Sequence, residues 1–132
     1  MTTLAAPESA EKYLDIQLLN AQNSFSLSFY KNIIQKANQA CNLEFHNNAA
    51  IEHLVYTRCW YIEQIIIQIW KKHSTENLSL IAVGGFGRGE LHPYSDIDLL
   101  ILVNNLKVNC LDSIPQFIQS LWDLGLDIGH SV

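Results

Sequence analysis

The chain has 132 residues, 48% of them apolar and 16% charged, with a formal net charge of −5. That length bounds it to one hydrophobic core, and the composition excludes a disordered or low-complexity chain. An acidic balance supplies no basic face for a phosphate backbone, so no nucleic-acid partner is expected.

Residues 1–12 carry Glu8 and Glu11 and lack a basic segment followed by an apolar run, so they do not read as a secretory signal. Residues 11–23 and 26–40 show apolar side chains at three- and four-residue spacings without proline, and both segments are expected to be helical. Over residues 48–73 the pattern is stronger: Ile51, Leu54, Val55, Ile62, Ile65, Ile66 and Ile69 share one stripe, and Lys71, Lys72 and His73 suit a helix C-terminus. Trp60, Tyr61 and Trp70 fall partly off that stripe, which implies packing on two sides; with Tyr56 they read as packing aromatics rather than a base-stacking platform. The aliphatic cluster in residues 62–70 is interrupted by Glu63, Gln64 and Gln68 and falls short of the roughly 20 residues that span a membrane. Cys41, Cys59 and Cys110 are far apart and form no C-x-x-C pair, so neither a disulfide framework nor a zinc site is indicated. Reduced thiols and a cytoplasmic location are expected.

The hydrophobic period changes at Leu78. Leu78–Val83 and Ile97–Val103 are short aliphatic runs bounded by glycine, aspartate and asparagine, as expected for buried strands. Asn104 and Asn105 mark a turn, Asp112 or Ser113 can cap a helix with Pro115 in its first turn, Gly125 lies just past that helix, and residues 126–130 read as a last strand. The expected fold class is α+β, with a helical region over residues 1–76 and a short mixed sheet with flanking helices over residues 77–132.

Between the two strands lies GGFGRGELHPYSDID, residues 84–98. A P-loop requires Gly-Lys-Ser/Thr, and no lysine occurs between Lys72 and Lys107; a dinucleotide fingerprint fails because the third glycine comes one residue early. The connection is also too short for a parallel crossover, so the two strands are expected to be neighbours joined by a short turn of helix. Asp96 and Asp98 alternate along a strand and so share a face, where two like charges repel unless a cation neutralises them. Hard oxygen ligands from few carboxylates suit Mg²⁺, and two such ions roughly 3.5–4 Å apart suit phosphoryl or nucleotidyl transfer. Gly84 and Gly85 allow close backbone approach to phosphate, Arg88 can neutralise a phosphate charge, and Ser95 can donate a hydrogen bond. Singly, each feature has a plainer reading: Asp-x-Asp is common on solvated strand ends, Gly-Gly is usually a turn, and Arg88 with Glu90 makes a surface ion pair. The ordered combination is more specific than any part.

That combination, residues 84–100, resembles the signature of the DNA polymerase beta-like nucleotidyltransferase superfamily. It is most similar to the N-terminal domain of the bacterial PII uridylyltransferase/uridylyl-removing family, and LWDLGLDIGHSV, residues 121–132, is similar to a second segment of that family. The resemblance implies a partial nucleotidyltransferase fold in which Gly84 and Gly85 contact UTP phosphates and Asp96 and Asp98 bind Mg²⁺. It implies transfer of UMP from UTP to a tyrosine of the PII protein, releasing pyrophosphate. Family members are several times longer, with an HD phosphohydrolase domain and glutamine-sensing ACT domains. This sequence contains no His-Asp dipeptide and is expected to be an N-terminal fragment with an incomplete site. The third carboxylate is expected beyond Val132, with Asp127 the weaker substitute. His53, His92 and His130 are expected to have structural or positional roles. The alternatives are another nucleotidyltransferase of the superfamily, with a different acceptor or an adenylyl donor, and an inactive nucleotide- or protein-binding remnant.

Overall fold

The computed structural model describes residues 3–73, 78–92, 95–103 and 113–131. The N-terminal region does not form the single helix expected over residues 11–23. A 3₁₀ turn, Ala10–Lys12, is followed by buried Tyr13 and Leu14, and a separate short helix α1 spans Ile16–Asn20. Asp15 causes the break: its backbone is extended and its carboxylate accepts from Leu18 N–H at 3.1 Å, capping a new helix instead of continuing the old one.

Helix α2 spans Leu27–His46 and runs six residues past the expected end at Ala40. Ser26 caps it, its hydroxyl accepting from Phe29 N–H at 3.4 Å. Helix α3 spans Ile51–His73 and starts later than expected, because Asn48 takes φ +66° in the turn between the helices, a conformation asparagine tolerates better than most residues. Ile62, Ile65, Ile66 and Ile69 are fully buried, and so is Tyr61 on another side of the helix, so α3 is buried on two sides, as its sequence implied. Each such aliphatic side chain contributes about 1.5–3 kcal/mol of burial.

Strand β1, Leu78–Val83, is followed at once by the single-turn helix α4, Gly84–Gly87. Strand β2, Ile97–Val103, pairs antiparallel with β1, with Leu78 opposite Val103 and Val83 opposite Asp98. The two strands are therefore neighbours joined through a turn of helix, as the short connection required. Helix α5, Ser113–Asp123, then leads to β3, Ile128–Ser131, which pairs parallel to β2 with Ile97 beside Ile128 and Asp98 beside Gly129. The sheet order is β1-β2-β3. This mixed α+β arrangement is the expected class. The last strand begins two residues later than expected because Leu126 belongs to the helix stop. Gly125, at φ +83°, donates to the Trp122 carbonyl at 2.9 Å, and Leu126 N–H donates to the Leu121 carbonyl at 3.2 Å. The expected turn at Asn104 and Asn105, the Asp112 cap and Cys110 lie outside the described residues.

Alternation along the strands divides the sheet. Leu78, Leu80, Ile97, Leu99 and Ile101 join one buried cluster with residues of α2, α3 and α5. Trp70 on α3 meets Phe117 on α5 edge to face at 4.9 Å. The other face carries Ile81, Val83, Asp98, Leu100 and Leu102, and there Val83 and Leu102 are 37% and 43% exposed. Among the described residues no helix is long and apolar enough to cross a membrane.

Candidate functional site

The site grows from the end of β1. Gly84 takes φ +61°, a conformation that strains any other residue, and turns the chain straight from strand into α4. Buried Phe86 anchors this turn, and its carbonyl accepts from the Cys59 thiol on α3 at 3.2 Å. Burial pushes the Cys59 thiol up to about 12, so it stays a neutral donor. Gly87 lies so near β1 that a Cβ would stand 2.7 Å from the Ala82 carbonyl oxygen. Arg88 N–H donates to the Gly84 and Gly85 carbonyls at 3.2 and 3.1 Å, and Glu90 N–H returns to the Gly85 carbonyl at 2.8 Å. The glycines of this segment thus serve close backbone packing as well as chain reversal.

Asp98 is the second residue of β2, half-buried, directly across from Val83 at the mouth of the turn. A Cβ on Gly84 would lie 2.7 Å from Asp98 Oδ2, so the glycine turn and this carboxylate are in contact range. Asp96 is exposed and sits one residue before the strand begins. Among the described residues neither carboxylate has a hydrogen-bond or ion-pair partner. Carboxylates held without protein donors, with room left by glycine, fit the oxygen-preferring coordination of a divalent cation.

The other residues singled out in the sequence are less closely gathered. Arg88 is exposed and pairs with Glu90 at 3.6 Å, an arrangement worth under about 1 kcal/mol that leaves its guanidinium free to exchange partners. Ser95 is exposed, its N–H donating to the His92 carbonyl at 3.1 Å. Ser95 and Asp127 open onto a cleft of about 340 Å³ shared with Asn38, Arg58 and Tyr61, where Asn38 accepts from both Arg58 and the Tyr61 hydroxyl. The Asp127 carbonyl accepts from Ile97 N–H at 2.8 Å, but among the described residues no three His, Cys, Asp or Glu side chains form a metal-binding group. Asp127 therefore does not complete a carboxylate triad with Asp96 and Asp98. His130 stacks edge-on with Trp122, and His92 lines an apolar cleft with Phe45 and Ile51. His53 is half-buried on α3.

Gly129 did not stand out in the sequence beyond its place in the second similar segment, yet it lies beside Asp98 on β3, and a Cβ there would lie 2.8 Å from Asp98 Oδ1. The available signal was a glycine inside a strand pattern, which marks a close approach by a neighbouring group.

The family model described as "Nucleotidyltransferase domain" matches residues 62–127, half of the chain. The chain belongs to the nucleotidyltransferase domain family. The matched span begins in α3 and takes in β1, the glycine turn, β2 and α5, so this nucleotidyltransferase domain contains the whole carboxylate and glycine arrangement described above except Gly129. The chain is 41% identical over 110 residues to the bifunctional uridylyltransferase/uridylyl-removing enzyme of Pseudomonas fluorescens, covering 80% of this chain and 12% of that protein. Enzymes of the same name are 40% identical over 116 residues in Ectopseudomonas mendocina and 39% identical over 116 residues in Azotobacter vinelandii, each match covering 85% of this chain and 13% of the relative. The matched region thus spans about an eighth of the length of these relatives. No solved structure matches.

Proposed function

We propose that the chain forms the nucleotide-transfer end of a cytoplasmic uridylyltransferase that moves UMP from UTP to a tyrosine hydroxyl of the PII signalling protein. Its similarity to enzymes named uridylyltransferase/uridylyl-removing supports the donor, and the sequence resemblance supports the acceptor. The observation that carries the reading is the Asp98 carboxylate, half-buried without a partner among the described residues and set against the Gly84 turn.

Asp96 and Asp98 would hold Mg²⁺, which when bound supplies charge neutralisation to the attacking and leaving oxygens. Gly84 and Gly85 let the triphosphate approach the backbone without meeting a side chain. Arg88 exchanges Glu90 for a phosphate oxygen, a charge-assisted bond stronger than its exposed ion pair. Ser95 donates a hydrogen bond to the nucleotide beside Asp96. The phenolic oxygen bonds to the α-phosphorus as the bond to the pyrophosphate oxygen breaks, and the phenolic proton passes to water.

The test is incubation of a full-length parent protein carrying this domain with PII and UTP labelled at the α-phosphate. Transfer of label to PII is expected, and Asp98→Asn should abolish it while the melting temperature changes little. Undiminished labelling by the variant would overturn the assignment. The two-carboxylate site also favours a second reading, a nucleotide-binding remnant, because no third ligand joins the pair among the described residues. Binding of Mg-UTP without pyrophosphate release would select it.

A further inference from the structure

Glycine inside a strand weakens it, since it loses more backbone freedom on folding and packs no side chain. Gly129 is the second residue of the four-residue β3. The glycines with positive φ are Gly84, Gly89 and Gly125, so backbone conformation gives no reason for glycine at position 129. Its surroundings give one. A Cβ there would meet Asp98 Oδ1 at 2.8 Å, and among the described residues no other atom outside its chain neighbours would come within 4 Å. The parallel register sets Gly129 directly beside Asp98, while on the opposite side a Cβ on Gly84 would meet Oδ2 at 2.7 Å. Each carboxylate oxygen of Asp98 therefore rests against one glycine, one from the turn after β1 and one from β3.

We propose that Gly129 is a positioning residue, which together with Gly84 forms a slot that fixes the orientation of the Asp98 carboxylate for cation binding. Its relation to a cation rests on the reading of Asp98 as a metal ligand; the slot itself does not. Gly129 and Gly87 separate two uses of the same residue type. At Gly87 the clash of an added Cβ is with a backbone carbonyl, which cannot turn away. At Gly129 it is with the end of a side chain, which can rotate at small cost to the fold. An added methyl at position 129 therefore leaves the protein folded and turns the carboxylate. Gly84 is a less clean probe, because its φ of +61° adds backbone strain to any substitution.

Two measurements on the full chain test this. Mn²⁺ alone, followed by its electron paramagnetic resonance signal, is expected to bind Gly129→Ala about tenfold or more weakly than the parent, the usual scale for loss of a group that orients a metal ligand. Unchanged Mn²⁺ affinity in a folded variant would overturn the positioning role. Thermal unfolding in metal-free buffer supplies the second arm, as a double-mutant cycle with Asp98→Ala. Once the carboxylate is gone, Gly129→Ala should raise the melting temperature by about 3 °C or more beyond its effect in the parent. Equal effects in both backgrounds would overturn the slot. Coupling in this cycle, with no Mn²⁺ binding by the parent, would uphold the slot and sink the metal reading of Asp98.

Discussion

The two faces of the sheet are made from alternate residues of the same strands, yet they differ in almost every physical respect. On one, Ile97, Leu99 and Ile101 are at most 1% exposed and packed in the cluster with the helices. On the other, Val83 and Leu102 remain more than a third exposed, and Asp98 keeps a carboxylate without a partner among the described residues. Two carboxylates show the same contrast. Glu63, 2% exposed on α3, accepts from Leu4 N–H at 2.7 Å, whereas Asp98 is flanked by two glycines and among the described residues takes no donor. The covered face holds the strands in place, and that frees the open face to carry a charge that contributes nothing to packing.

Substitutions should separate the faces, with the largest effect on the covered side. Ile101→Ala removes a fully buried side chain and should cost about 2–5 kcal/mol, read from urea unfolding. Gly87→Ala drives a methyl toward the Ala82 carbonyl and should cost about 1–3 kcal/mol in the same measurement. A next, smaller effect concerns Glu63. Burial raises its carboxyl above the usual 4.5, against the opposing pull of the Leu4 hydrogen bond. A carboxyl raised in the folded state contributes stability that is fully present below 4.5 and is lost as pH rises through the folded value. Glu63→Gln should therefore flatten the fall in stability as pH rises above 4.5, and a profile unchanged by the substitution would contradict this. Leu102→Ala, one residue along β2 from Ile101 but on the open face, should stay within about 0.5 kcal/mol of the parent. A large loss there would mean that the open face is covered in solution.

Much of this contrast was legible in the sequence. The aliphatic runs marked β1 and β2, the short glycine-rich connection required them to be neighbours, and Asp96 and Asp98 stood out by spacing and charge. The extension of α2 to His46 was not legible, because Leu43 and Phe45 are 60% and 55% exposed and continue no buried stripe. Asp15 reads equally well inside a helix or at its start, and the capping bond to Leu18 decides between them. Gly129 was the hardest to read. Its meaning depends on which residue of β2 lies beside it, and a parallel register between strands separated by a helix leaves no local trace in the sequence.

Among the described residues β3 lies at an end of the β1-β2-β3 order, and strands in that position expose a row of backbone groups on which other chains can template. Length, flatness and apolar side chains make such a row dangerous. β3 has four residues, Ile-Gly-His-Ser, with only one aliphatic side chain and a glycine that lowers its strand propensity. The residue that leaves room for the Asp98 carboxylate thus also makes β3 a poor seed for aggregation.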